Sequence, residues 1–138
     1  LSHADIIVKV AAVADYKPVS AKDRKIKKTG QTTSMTLDLT ENPDILKAIG
    51  QQKREDQFLV GFAAETNDLE AHAMAKLKKK NLDMIAANLV GGSDSGFKSD
   101  TNKVKLFSRD GSIKDIPLMT KEAVAHQILD TVIEKSGC

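Results

Sequence analysis

Only one cysteine is present, Cys138 at the last position, so no internal disulfide can form and a cross-linked secreted scaffold is excluded. No apolar run approaches the roughly 18 residues of a membrane-spanning helix. No basic stretch leading into an apolar one marks a secretory signal. The charges nearly cancel, 21 Lys and Arg against 19 Asp and Glu. A net +2 gives no general case for nucleic-acid or membrane partners. The expected location is therefore cytoplasmic. His3, His72 and His126 are isolated, without zinc-ligand spacing and without a nucleophile–base motif. Neither a G-x-x-x-x-G-K-[ST] loop nor a G-x-G-x-x-G turn occurs. There is also no internal repeat or low-complexity tract.

What is present, 41% hydrophobic and 29% charged residues in a chain of 138, suits one compact α/β domain. The chain starts on Leu1 and enters a buried-looking strand almost at once, which raises the expectation that further sequence precedes it. Ile6 to Val13, broken only by Lys9, has the composition of an internal parallel strand. Residues 15 to 34 are polar and rich in lysine with little periodicity, and they read as a lid or ligand loop. Ser34 to Leu39 then alternates as a short strand.

Asn42, Pro43 and Asp44 form a helix start, with Asn as cap and Pro at the first helical position. The helix runs on through Ile45, Leu46 and Ile49 and ends near Lys53. Phe58 to Ala64 is the next buried strand. Gly61 within it weakens the strand unless something packs closely on the backbone. Thr66 or Asn67 is expected to cap a second helix, with Glu70 completing a capping box. Leu69, Ala73 and Leu77 supply its inner stripe, and Lys76 and Lys80 lie one turn apart. Leu82 to Ala87 is a further strand, and this alternation of helix and buried strand favours parallel pairing. Residues 91 to 101 read as a loop. Residues 103 to 116 read as an antiparallel hairpin flap turning at Asp110 and Gly111. A last helix capped by Thr120 presents Val124, Ile128, Leu129, Val132 and Ile133 as its apolar face.

Ligands of open α/β sheets bind beyond the carboxyl ends of the strands, which here means Ala14–Asp15, Ala64–Thr66 and Ala87–Asn88. Asp15 follows small residues, Ala11, Ala12 and Ala14, that let a phosphate or sugar approach the backbone. Its carboxylate could hold Mg²⁺ or a ribose hydroxyl, or it could simply close an Asx-turn. Lys25, Lys27 and Lys28 could reach a triphosphate as point charges or remain a solvated basic face. Lys76 and Lys80 offset the helix dipole, but lysines crowded without acidic partners would want an anion. Phe62, a core residue by type, could also wall a pocket for a base.

The segments AAVADYKP at 11 to 18, KIKK at 25 to 28, ENPDIL at 41 to 46, LVGFAAETND at 59 to 68, KLKKKNLDMIAAN at 76 to 88 and FKSDTNKVKLF at 97 to 107 run in order through nearly the whole chain. Together they closely resemble the ligase domain of the bacterial bifunctional flavoprotein phosphopantothenoylcysteine decarboxylase/phosphopantothenate–cysteine ligase. The resemblance implies a Rossmann-like three-layer α/β fold with a mainly parallel central sheet and a small antiparallel flap. Residues 1 to 138 would be the C-terminal two thirds of that domain, with its first βα portion absent. It also implies CTP-dependent ligation of 4′-phosphopantothenate with L-cysteine, with CTP as co-substrate and Mg²⁺ as cofactor. FMN would belong only to an absent decarboxylase domain.

By the same resemblance Asp15 is a nucleotide-binding, metal-linked aspartate and Lys25 reaches the triphosphate, and these two are the catalytic candidates. Ala11 and Ala12 approach the phosphates. Pro43, Asp44, Ile45 and Leu46 line the CTP pocket, and Phe62, Lys76 and Lys80 make further CTP contacts. A homodimer and upstream ligase or decarboxylase portions are the implied partners, and these residues alone are expected to be inactive or weakly active. Two other readings stand beside this one: a ligase of the same build using ATP or UTP, and a noncatalytic nucleotide-binding or assembly domain.

Overall fold

Ten elements succeed one another along the chain: β1 (Ile6–Lys9), β2 (Tyr16–Pro18), β3 (Leu39–Glu41), α1 (Ile45–Gln52), β4 (Phe58–Glu65), α2 (Leu69–Lys79), β5 (Met84–Leu89), β6 (Thr101–Ser108), β7 (Ile113–Thr120) and α3 (Lys121–Ser136). The computed structural model describes residues 3–27, 34–65, 67–89 and 100–137. Lys28, Thr66, Cys138 and nearly all of the expected loop at 91–101 lie outside the described residues. The chain divides into two units, Ala11–Asp44 and the remainder.

The larger unit is built on a five-stranded sheet of order β1-β4-β5-β6-β7. β1, β4 and β5 run parallel, whereas β5–β6 and β6–β7 pair antiparallel. Strand alternation sends successive side chains to opposite faces, and β5 accordingly feeds two cores. Ile85 and Ala87 join Leu59, Leu77 and Phe107 in one core, and Met84 and Ala86 join Val60, Leu106 and Ile116 in the other. Leu46 of α1 with Ala73 and Leu77 of α2 closes the first core, and Val124, Ile128 and Val132 of α3 close the second. The result is helix, sheet and helix in three layers. Among the described residues no helix is long and apolar enough to cross a membrane.

Several local expectations change in the structure. The expected 103–116 flap is longer and is not separate, because β6 pairs along β5 and makes the hairpin the sheet's antiparallel side. α1 begins at Ile45, so Asn42 is not its cap. α2 begins at Leu69 after Asp68, which is left-handed at φ 44° and makes no side-chain cap hydrogen bond. That start puts Glu70 at the second helical position, one short of what a capping box requires. Thr120 does cap α3, its Oγ1 accepting from the Ala123 N–H at 3.2 Å. Leu129 and Ile133, however, are 47% and 52% exposed. Each lies one residue, about 100° around the helix, beyond Ile128 and Val132, off the line of contact with the sheet.

The β6–β7 turn carries a pH-sensitive contact. Asp110 accepts from Lys135 Nζ at 2.8 Å and from Ser112 Oγ and N at 2.6 and 2.9 Å. The Lys135 hydrogen bond first, then those from Ser112, hold the carboxyl well below the usual carboxylate range. A depressed folded pKa adds stability above the unfolded value of about 3.9 and loses it as pH falls toward the folded one. Asp110→Asn is therefore expected to flatten the acid limb of a stability–pH curve below about pH 4. The effect should shrink in high salt because the carboxyl is exposed. Parallel acid limbs for the variant and the unchanged protein would refute this.

The smaller unit, residues 11–44, is a two-stranded ribbon in which Tyr16, Lys17 and Pro18 pair with Glu41, Thr40 and Leu39. Asn42 fastens its base, donating from its N–H to the Asp15 carbonyl at 2.7 Å and from Nδ2 to the Ala14 carbonyl at 2.8 Å. Within this unit Val13, Tyr16, Val19, Ile26, Met35, Leu37 and Leu39 are all exposed.

Candidate functional site

The carboxyl ends of β4 and β5 meet in register, Ala64 opposite Asn88 and Glu65 opposite Leu89. Two of the three strand-end junctions expected from sequence are therefore neighbours. The third, Ala14–Asp15, belongs to the ribbon unit. Asn88 Nδ2 lies 3.4 Å from Asn102 Oδ1 of β6, which ties the antiparallel side of the sheet to the same rim.

Glu65, the last residue of β4, is the carboxylate of this rim. Its side chain is only 13% exposed, and both of its oxygens face α2: Oε1 lies 2.5 Å from Lys76 Nζ and Oε2 lies 3.3 Å from His72 Nδ1. His72 and Lys76 are four residues apart, so they stand on one helix face, and α2 presents that face to the strand end. Lys76 therefore has an acidic partner, contrary to the expectation of lysines crowded without one. Lys80 follows the last residue of α2 and donates its backbone N–H to the Lys76 carbonyl at 3.0 Å. Since α2 runs from the carboxyl end of β4 back to the start of β5, Lys80 stands at its far end. Phe62 is half-buried and packs on the core beneath α3, the opposite face of the sheet from α2.

The remaining candidates divide between the units. Ala11, Ala12, Asp15, Lys25, Pro43 and Asp44 are exposed in the ribbon unit. Ile45 is exposed at the start of α1, and Leu46 is committed to the core. A Cβ on Gly61 would lie 2.9 Å from Leu46 Cδ2 and 2.8 Å from Leu82 Cδ1. The close approach expected at that strand glycine is thus made by two leucines.

Sequence reasoning put the Ala64–Thr66 junction on the rim without giving Glu65 a role and set His72 aside as isolated, although a strand-end carboxylate followed by His and Lys at helical spacing was a readable signal. In the KKKNLD run it weighed the lysines and gave no contact to the Asn or the Asp. Asn81 is left-handed at φ 53°, donates from Nδ2 to the Gly50 carbonyl at 2.7 Å and accepts from Arg109 Nη2 at 2.8 Å. Asp83 Oδ2 accepts from Lys53 Nζ at 2.6 Å and from the Leu59 N–H at 2.8 Å, while Oδ1 lies 3.2 Å from Arg109 Nε. A cavity of about 730 Å³ opens there, lined by Asp83, Arg109, Phe58, Asp110 and Glu134 among others. It lies at the amino-terminal end of β4 and β5, away from the rim that carries Glu65.

Residues 1–135 match the family described as DNA/pantothenate metabolism flavoprotein C-terminal domain. The coenzyme A biosynthesis bifunctional protein CoaBC of Bacillus subtilis (strain 168) is 48% identical over 128 residues, covering 93% of this chain and 31% of that protein. A crystal structure of the C-terminal domain of CoaBC superposes with a TM-score of 0.69 at 37% identity, covering 95% of this chain and 56% of that one. Cab2 in complex with phosphopantothenate-cysteine shares the fold, with a TM-score of 0.66 at 20% identity over 91% of this chain and 42% of that one. The chain spans about a third of the length of the curated relatives it matches. It belongs to the DNA/pantothenate metabolism flavoprotein C-terminal domain family.

Proposed function

We propose that this chain carries the ligase step of coenzyme A biosynthesis, the CTP-dependent joining of 4′-phosphopantothenate to L-cysteine. The observation that carries this reading is the 48% identity to a CoaBC protein over 93% of the chain, and Asp15, Lys25, Lys76 and Lys80 are the residues that the sequence resemblance assigns to the nucleotide. The substrate carboxylate attacks the α-phosphorus of CTP, the bond to the departing pyrophosphate breaks, and an acyl-cytidylate forms. The cysteine amine then attacks the acyl carbon and expels CMP, leaving 4′-phosphopantothenoylcysteine. The attacking groups belong to the substrates, so the protein's work is to bind, align and offset charge.

Lys25, Lys76 and Lys80 are the proposed cationic contacts of CTP, with Ala11, Ala12, Pro43, Asp44, Ile45, Leu46 and Phe62 as the remaining contacts. Mg²⁺ is commonly held by one or two carboxylates together with substrate phosphates, and the single exposed carboxylate of Asp15 fits that donor set. The ion would neutralise charge on the phosphates. FMN belongs, on this reading, to a decarboxylase portion outside these residues. The seven exposed apolar side chains of the ribbon unit support a covering partner, since an isolated two-stranded ribbon is marginal in water. A second copy or an upstream portion of the same protein is the proposed cover.

The test is pyrophosphate release from CTP in the presence of 4′-phosphopantothenate, measured on the full-length protein and on these 138 residues alone, which are expected to turn over weakly or not at all. Lys25→Gln should weaken CTP binding by about tenfold or more, the loss of one charge-assisted contact. Unchanged CTP affinity in Lys25→Gln, Lys76→Gln and Lys80→Gln, with the fold intact, would overturn the reading. Competition by ATP and UTP against labelled CTP settles the base.

A further inference from the structure

We infer that Glu65 is a positioning residue for the Lys76 ammonium, fixing it at the carboxyl rim of the sheet so that a nucleotide phosphate meets a cation already in place. The inference rests on the reading of Lys76 as a nucleotide contact and adds a residue that is not among the proposed CTP contacts. Three observations carry it. Glu65 ends β4 and pairs there with Leu89 of β5, so its backbone is held in the sheet. Its side chain is 13% exposed, too enclosed to be a casual surface partner. Its two oxygens are occupied separately, one by Lys76 at 2.5 Å and the other facing His72 at 3.3 Å, so the carboxylate is held from both sides.

A lysine side chain loses rotamer entropy when it is immobilised, and a partner that holds it beforehand removes part of that cost from binding. An ammonium has three donors, so a contact with Glu65 leaves two for phosphate oxygens. The opposing effect is the negative charge of Glu65 itself, which repels a triphosphate. The two effects have opposite signs, and a neutral isostere reports which of them is larger. Glu65→Gln removes both the repulsion and the charge-assisted hold on Lys76. If positioning dominates, affinity falls; if repulsion dominates, affinity rises.

The experiment is calorimetric titration of CTP into the full-length protein and its Glu65→Gln, Glu65→Asp, Lys76→Gln and Glu65→Gln/Lys76→Gln variants, each with a measured Tm. The expected result is a loss of affinity of about fivefold or more for Glu65→Gln and a comparable loss for Glu65→Asp, which keeps the charge but is one methylene short. Once Lys76 is already Gln, Glu65→Gln should cause no further loss and should tighten binding by whatever repulsion its charge exerts, because a residue acting through Lys76 has nothing left to position. His72→Gln, which leaves the Glu65–Lys76 pair in place but changes the contact to the other carboxylate oxygen, supplies a milder variant if the others unfold; it should weaken CTP binding relative to the unchanged protein, and unchanged affinity would count against the positioning role. Unchanged or tighter binding in Glu65→Gln, with Lys76→Gln weakened, would overturn the positioning role and leave the nucleotide reading standing. Unchanged binding in Lys76→Gln would remove Lys76 from the nucleotide site and the inference with it.

Discussion

Asp83→Ala is expected to cost roughly 3–5 kcal/mol of folding stability, the scale for removing one partner of a buried ion pair. Lys53, the partner, has a side chain only 5% exposed and Asp83 one 16% exposed, so the orphaned ammonium would stay out of water. The Leu59 N–H near the start of β4 also loses its acceptor, and the Arg109 guanidinium loses its carboxylate while keeping the Leu82 carbonyl and Asn81 Oδ1. Urea unfolding, read as a shift of midpoint at constant slope, measures the loss. Lys53→Met in the Asp83→Ala background should recover part of it, because removing both charges is far cheaper than stranding one. Recovery should be incomplete, since the Leu59 N–H still lacks its acceptor. A single-variant cost below about 1 kcal/mol would show that water reaches Lys53 freely and that the pair behaves as a surface contact.

Gly50→Ala is the second large effect, and its sign is the informative part. Helix propensity alone favours alanine over glycine by about 1 kcal/mol, so an exposed position in α1 would gain. At Gly50 a Cβ would run into the Lys80 backbone carbonyl and lie 2.9 Å from its carbon. Backbone cannot swing aside as a leucine tip can. Accommodation requires α1 to move away from the end of α2, breaking the hydrogen bond from Asn81 Nδ2 to the Gly50 carbonyl. Overpacking of this kind costs typically about 1–3 kcal/mol, and the lost hydrogen bond adds to it. A net destabilisation of about 2 kcal/mol is therefore expected by thermal or urea unfolding. Stabilisation would mean that the two helix ends are not in contact in solution.

Leu59, Ala73, Leu77, Val124, Ile128 and Val132 were readable as core because their spacing matches strand or helix periods, and all six are buried. Period does not fix where contact ends, and this explains the differences found. Leu129 and Ile133 are apolar and adjacent to the buried stripe, yet they sit off the line of contact. Val10 and Val13 extend the apolar run of the first strand, but pairing with β4 stops at Lys9 opposite Gly61, and both valines are exposed. Helix starts shifted for a related reason. Asn42 was a good cap by type, but it bonds the Ala14 and Asp15 backbone across the ribbon, a partner 27 or more residues away that no local rule could supply.

The candidate site divides in the same way. The motifs that place the chain in its family lie in the sequence, and so do the residue types a phosphate would need. Lys76 as a cation was legible, and the strand-end carboxylate with His and Lys at helical spacing pointed to a partner, but the pair itself forms only when α2 folds back along β4. The KKKNLD run was legible as a helix end with clustered lysines, whereas its Asn and Asp also hold the α2–β5 corner through Gly50, Lys53 and Arg109.

By itself the sequence determined the α/β class, the chain's family and the stripes that become the two cores, since each of these depends on residue type and short-range period. Only the tertiary structure decided which carboxylate neutralises which cation, that the hairpin extends the sheet, and that one glycine in α1 must stay bare. Those depend on distances between segments remote in the chain, and such distances are set by packing.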